Sequence, residues 1–294
     1  MSSTPLKRTL LVIVLTALTL SACGLDLAPA ATSTPTPSPT PTVTPIPLAV
    51  SINGEGITVP EFDAELARYQ RAQTVLGNTV SLEAATQIVM DNLIDTILLA
   101  QGASAKGYTV DEAAVQSRVD DLAAQIGGPD ALTAWESAHR YTDADFRSEL
   151  RREIAAAWMR DQLAASIPAT AEQVHVTQIL LYNADAAQEA LGYLKSGWNF
   201  EELAARYDKL TKGELGWFPR GYLPELAIEE AAFALQPGQY SDVIRSPAGY
   251  HILYVTKREP DHPLSPDARL TLQEHAIQAW LIQQRDDSKI LFAP

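Results

Sequence analysis

The chain has 294 residues, with 22 Lys and Arg against 36 Asp and Glu, a formal net charge of −14 at pH 7. That balance argues against nucleic acid as a partner and against electrostatic adhesion to anionic lipid. One cysteine in the whole chain leaves no intramolecular disulfide, no cysteine-based zinc site and no thiol–disulfide chemistry, so the core must hold the fold.

At the start of the chain, Lys7 and Arg8 precede an apolar run from Leu10 to Leu20 that only Thr16 and Thr19 interrupt. A short basic region, an apolar core and small residues at a cleavage point predict a secretory signal over residues 1–22. The run is too short for a comfortable membrane span, which takes about 20 apolar residues. Leu20-Ser21-Ala22-Cys23 resembles the bacterial lipobox, which implies that Cys23 is acylated and holds the mature chain on the membrane. Two or more acyl chains, at about 0.8 kcal/mol per buried CH₂, anchor a protein stably where one does not. Residues 23–47 follow as a tether, nearly all Pro, Thr, Ser and Ala from residue 29 onward. Such a tract has nothing to bury and stiffens toward polyproline II; at about 3 Å per residue it reaches some 50 Å.

Beyond residue 47 roughly 245 globular residues remain, enough for two domains. Ala49 to Ile52, Asn53-Gly54 and Gly56 to Val59 read as a hairpin, because Asn-Gly suits a tight turn. Helices follow: Pro60 to about Leu76 with Phe62, Leu66 and Tyr69 on one face, then Leu82 to Ala105. Asp91 and Asp95 mark the second as a core helix and not a membrane span. Thr109 with Glu112 reads as a capping box for a third helix bearing Val115, Val119, Leu122 and Ile126, stopped by Gly127-Gly128-Pro129. A short helix around Trp135 and a long one from Asp143 to about Ala165, capped by Thr142, complete a helical domain over 48–168.

After Pro168 the pattern changes to α+β, a second domain over 172–260. His175 to Tyr182, Leu215 to Phe218, Tyr240 to Arg245 and Tyr250 to Thr256 read as strands of a small antiparallel sheet. Ala186 to Lys195, Phe200 to Tyr207 and Ile228 to Leu235 read as flanking helices. A last helix, Asp267 to about Arg285, carries Leu272, Ile277 and Trp280. The second domain supplies no visible burial for it, so residues 265–290 are expected to pack back on the helical domain.

Three blocks carry a resemblance. Gly213-Glu214-Leu215-Gly216-Trp217-Phe218, then Glu229-Glu230-Ala231-Ala232-Phe233-Ala234-Leu235-Gln236-Pro237-Gly238, then Gly249-Tyr250-His251-Ile252 are similar, in order and spacing, to the parvulin family of peptidyl-prolyl isomerases. The layout of the helical domain and terminal helix resembles the PrsA/SurA-type extracytoplasmic foldases. The resemblance implies an exported foldase: a helical chaperone-like domain and a parvulin-type domain acting on X-Pro bonds of unfolded or nascent exported chains. The alternative is a non-catalytic holdase or assembly chaperone that keeps the parvulin fold only to bind peptide.

Prolyl isomerisation crosses a barrier of about 20 kcal/mol and breaks no bond, so no cofactor and no metal is required. What helps is an apolar slot for the proline ring and hydrogen-bonding groups that hold the twisted amide. By resemblance the slot draws on Leu223, Ile228 and Phe233, with Trp217, Phe218 and Tyr250 as walls or core, and His251 matches one of two family histidines. Gln178 stands where the family has the other, while His175 lies three residues early, an offset that turns it to the opposite strand face. By the same resemblance Glu214 replaces the family's aspartate, and in the shortened loop over 208–212 only Asp208 could stand in for the cysteine or aspartate that the family carries there. The polar set is therefore His251, Gln178, Glu214 and Asp208, rewired relative to the family, which implies slow turnover with peptide binding kept. No Gly-x-Ser-x-Gly or His-Glu-x-x-His motif supports a hydrolase, and His139, His262 and His275 are scattered.

Overall fold

The computed structural model describes residues 47–293. The signal over 1–22, Cys23 and the tether up to residue 46 lie outside the described residues.

β1 (Leu48–Ile52) and β2 (Glu55–Thr58) form the hairpin, with Asn53 at φ 53° and Gly54 at φ 93°. Two successive left-handed residues are what a tight hairpin turn demands, and Asn-Gly tolerates both. Val50, Ile52 and Ile57 point down onto Ile94, Ile97 and Leu98 of α2 (Leu82–Ala105), which closes the first core. Between hairpin and α2 runs α1 (Val59–Val75), started by a capping box in which Thr58 and Glu61 bond each other's backbone.

α3 (Glu112–Ile126) corrects one expectation. Its N-cap is Asp111, whose carboxylate accepts from Ala114 N at 2.7 Å, and not Thr109. The shift places Glu112 in the first turn beside the positive end of the helix dipole, where it no longer closes a box on Thr109. Val115, Val119 and Ala123 form its buried stripe, while Ile126 is left exposed where Gly127 ends the helix in the left-handed region. α4 (Pro129–Ala138) and α5 (Asp143–Ala165) complete the bundle.

The second unit begins with β3 (Thr170–Leu181), then α6 (Ala184–Lys195), α7 (Phe200–Tyr207), β4 (Glu214–Pro219), α8 (Leu226–Ala234), β5 (Ile244–Ser246) and β6 (Gly249–Pro263). Its four-stranded antiparallel sheet has the order β4-β3-β6-β5. The strand expected over 240–245 is mostly loop, with only a Tyr240 to Tyr254 bridge before β5. Ser241 N donates to Leu253 O at 2.8 Å and the Ser241 hydroxyl accepts from Leu253 N at 2.9 Å, so backbone and side chain together hold that loop to β6. The side-chain alternation of the strands gives the sheet two cores. Val174, Val176, Leu253 and Val255 pack with Phe218, Ile228 and Phe233 under α8. Ile179 and Ile252 pack with Leu191, Leu194, Phe200 and Leu203 under α6 and α7.

β3 and β6 run on past the sheet as a two-stranded ribbon, Ala171 opposite His262 and Thr170 opposite Pro263, where α5 has just ended and α9 (Pro266–Asp287) is about to begin. Gln173 locks the ribbon by donating to the carbonyls of His262 and Pro263 at 2.8 and 3.0 Å. α9 then packs along α2 and α5. Trp280 and Leu281 join Leu99, Ala103, Ala156 and Met159, and Arg285 pairs with Asp91 and Asp95 at 3.0 and 2.6 Å. β7 (Ile290–Phe292) ends the chain's described part by pairing with the free edge of β1. Leu272 takes another partner: it lies against Gly221 of the second unit, 3.2 Å from where a Cβ would stand.

Candidate functional site

Strand alternation sorts the expected polar residues onto two faces. Gln178 and His251 share the α8 face, and His251 Nδ1 donates to Gln178 Oε1 at 2.8 Å. On the other ring nitrogen, the Ser246 hydroxyl donates to Nε2 at 2.8 Å, while Ser246 Oγ itself accepts from Ala248 N. Every partner in this chain is satisfied by a neutral imidazole. His251 is 5% exposed, and burial holds its pKa below the ordinary 6.5 against the opposing pull of Glu225.

A lowered histidine pKa means that the unfolded chain binds the proton more tightly. The stability contributed by neutral His251 is therefore complete above pH 6.5, declines as pH falls below it, and levels off beneath the folded pKa. An NMR titration of the His251 ring should give a midpoint below 6.5; a midpoint at or above that value contradicts this arrangement.

Glu214 goes elsewhere. Its carboxylate lies 3.1 Å from His175 Nε2, and His175 Nδ1 sits 2.6 Å from Thr256 Oγ1. His175 packs edge-on to Trp217, whose other face stacks on His262 at 4.0 Å. Glu214, His175 and Trp217 thus form a second cluster that does not meet His251. The one-residue irregularity between Val176 and Thr177 in the β3–β4 register is what brings Glu214 to the side of His175. Asp208 is committed to its own loop: its carboxylate accepts from Leu210 N, Thr211 N and Gly213 N and from the Thr211 hydroxyl. The Thr211 bond, first among these, holds its pKa below the ordinary carboxylate value. The loop then docks on Gln178, whose N–H donates to Gly213 O at 2.7 Å. Gly213 has no alternative there, because a Cβ would stand 1.9 Å from Gln178 O.

Of the expected apolar residues, Phe218, Ile228 and Phe233 lie together in the α8 core and are each no more than 4% exposed. Leu223 sits half-buried at its edge, and the Arg220 guanidinium lies 4.1 Å over the Phe233 ring. Trp217 and Tyr250 are on the opposite face, Tyr250 paired across the strands with Leu181.

Two residues that matter here were not picked out from the sequence. Ser246 closes the hydrogen-bond chain on His251. Glu229 is 6% exposed and accepts from Gly221 N, Tyr222 N and Leu223 N at 2.7, 3.0 and 3.1 Å, which fixes the loop presenting Leu223. Its neighbour Glu230 is exposed. In a Glu-Glu pair nothing but the helix phase against the sheet says which carboxylate turns inward.

A cleft of about 530 Å³ adjoins Gln178, lined also by Leu180, Tyr182, Arg206, Tyr207, Lys209 and Leu210. In the helical unit, a cleft of about 540 Å³ between α1 and α5 is lined by Glu61, Arg68, Tyr141, Glu149 and Arg152. Burial pushes the Glu149 carboxyl up, although the Tyr141 hydroxyl donates to both of its oxygens at 2.8 Å.

Comparison with known proteins agrees with this two-part organisation. The family described as the SurA-like N-terminal domain matches residues 4–160, and the PPIC-type PPIase domain matches residues 182–257. Chaperone SurA of Methylobacillus flagellatus is 29% identical over 206 residues, which are 58% of this chain and 47% of that protein. Foldase protein PrsA of Bacillus subtilis is 25% identical over 216 residues, 70% of each chain. A crystal structure of PrsA from Bacillus cereus is 21% identical with a TM-score of 0.47, covering 82% of this chain and 90% of that one. The chain thus spans about half the length of the SurA chaperone that it matches. With one family match covering more than half of its residues and a second following in order, the chain belongs to the PrsA/SurA foldase family, a SurA-like N-terminal domain followed by a PPIC-type peptidyl-prolyl isomerase domain.

Proposed function

We propose that this protein is an extracytoplasmic folding factor that isomerises X-Pro bonds in unfolded exported polypeptides. The observation that carries the reading is the Ser246–His251–Gln178 chain on the face shared with Phe233 and the Glu229-anchored Leu223 loop. With Oε1 engaged by His251, the Gln178 amide Nε2 has no hydrogen-bond partner among the described residues, and Gln178 borders the open cleft. It is the donor left to meet a substrate carbonyl as the amide twists out of plane. Leu223, with Phe233 and Ile228 behind it, supplies the apolar side that grips the proline ring. Neither covalent chemistry nor proton transfer is needed, which suits a buried, neutral imidazole. Glu214 and Asp208 act in this reading as scaffold, through His175 and through the loop that docks on Gln178. Cys23 serves as the lipid anchor, and the helical unit holds clients near the isomerase domain.

Exchange spectroscopy on a proline peptide with the full chain in detergent micelles tests the activity. Catalysis above the uncatalysed rate is expected, with a further fall of about 10²-fold in Gln178→Ala, the size of effect seen when one preorganised donor is lost. No acceleration by the wild-type chain would sink the isomerase reading. Mass spectrometry of the mature N-terminus reads the anchor directly, and an unmodified terminus overturns it.

A further inference from the structure

Past Gln178, strand β3 loses a neighbour. β4 makes its last pairing at Glu214 opposite Thr177, and Gly213 O then takes the Gln178 N–H. Backbone groups of alternate residues in an antiparallel strand point to the same edge. Leu180 N–H and C=O therefore face the side that Gln178 faces, and no described residue bonds them there. On the opposite edge the same stretch is fully paired, Ile179 with Ile252 and Leu181 with Tyr250. An unpaired edge is ordinarily blunted by a charge, a proline or a covering loop, because it is a template for another strand. Here it is open: the cleft of about 530 Å³ runs along it, walled by Gln178, Leu180 and Tyr182 on one side and by residues from α7 and the following loop on the other. Tyr182 is 83% exposed and Leu210 92% exposed at its rim, so apolar contact area stands ready without an intramolecular partner.

The charge of the cleft runs against that of the chain. Arg206 and Lys209 line it, and neither is in an ion pair among the described residues. Asp208, the one acid in the lining, keeps its charge but is turned to its own loop, and Arg206 stacks on Trp198, so the lining carries two cations against one anion. In a protein of net charge −14 this is a locally positive recess beside the site.

We propose that the free edge of β3 is a client subsite: an extended segment carrying an acidic side chain adds to β3 at Leu180 as a short strand, next to the prolyl bond held at Gln178. This rests on the isomerase reading of that site and adds to it a substrate preference. Main-chain bonds to Leu180 are indifferent to sequence, which suits unfolded chains, and the basic rim supplies the selectivity. A second copy of the chain is the competing occupant.

Three fluorescent peptides of equal length, each with one proline and flanked by Glu, Ala or Lys, decide the matter on the full chain in detergent at low salt. The Glu peptide should bind about 10-fold tighter than the Lys peptide, and Lys209→Glu should erase that ratio. Hydrogen exchange on the wild-type chain should show protection of residues 178–182 as well as 221–225 when the Glu peptide binds. Equal affinities, or protection confined to 221–225, overturn the subsite and leave the isomerase reading standing. Protection of 178–182 before any peptide is added, with self-association, overturns it in favour of a second copy. No binding and no acceleration of isomerisation with any of the three peptides overturns both readings.

Discussion

Glu229→Ala is expected to lower the melting temperature by about 6–12 °C and to weaken proline-peptide binding with it. The carboxylate of Glu229 is the acceptor for three consecutive backbone N–H groups, at Gly221, Tyr222 and Leu223. Hydrogen bonds to a charged group each contribute about 1.5–3 kcal/mol, and leaving a buried donor unpaired costs about as much again. Against that stands the desolvation relieved when a buried carboxylate is removed. A net loss of about 3 kcal/mol follows, and for a protein of this size about 2–4 °C accompanies each kcal/mol. Glu229→Gln should fall between, since an amide keeps one acceptor but turns an NH₂ group toward a backbone donor. Calorimetry reads the stability, and the apparent KM for a proline peptide reads the loop. A melting temperature within 2 °C of wild type in Glu229→Ala would show that the loop holds itself.

Deleting residues 265–294 should abolish cooperative unfolding of the helical unit. The deletion removes Trp280 and Leu281 from the core around Leu99, Ala103, Ala156 and Met159, both Arg285 ion pairs, and the strand that covers the edge of β1. Trp280→Ala isolates the packing component, about 3 kcal/mol for losing a large aromatic that is not fully enclosed. Gly102→Ala offers a sharper check, because two effects oppose each other. Glycine inside a helix is worse than alanine by about 1 kcal/mol, which favours the substitution. Yet the new Cβ would stand 2.6 Å from the Trp280 ring, and overpacking of that kind costs about 1–3 kcal/mol. Because the indole is wedged between α2 and α5, the clash should win and the variant should melt lower. A Gly102→Ala protein that melts higher would mean that α9 yields easily and is not a structural splint.

The His175–Glu214–Trp217–His262 cluster lies on the open half of the sheet face that α6 and α7 cover only in part. It sits where β3 and β6 leave the sheet to become the ribbon between the two units. Together with Gln173 bonding the carbonyls of His262 and Pro263, it stiffens that ribbon, a structural role for a histidine that resembles a displaced site residue.

Three helices were legible to their end residues, whereas α6 and α8 begin two residues before their apolar pattern does. Leu82–Ala105, Asp143–Ala165 and Phe200–Tyr207 run as their apolar spacing and flanking caps indicate. The reason is range: a cap acts over three residues and a helical stripe over four, so both are written locally. Even there, Asp111 outcompetes Thr109 because two capping side chains three residues from different donors read alike until the helix phase is set by burial of Val115. The Asn-Gly hairpin was legible for the same local reason. The parvulin-like blocks were legible as order and spacing, and they supply His251, Gln178, Leu223 and Phe233 as candidates. Which of the candidates meet was decided by the tertiary structure alone. A register irregularity of one residue carries Glu214 to His175, helix phase selects Glu229 over Glu230, and the pairing of β4 with β3 ends at Thr177, with Gly213 bonding Gln178, so that the edge of β3 is left open at Leu180. β7 pairs with β1, and Asn53 bonds Ser288 across 235 residues of chain. Contacts of that kind depend on where two surfaces come to rest once their apolar faces are buried, and no periodicity within either segment encodes the partner.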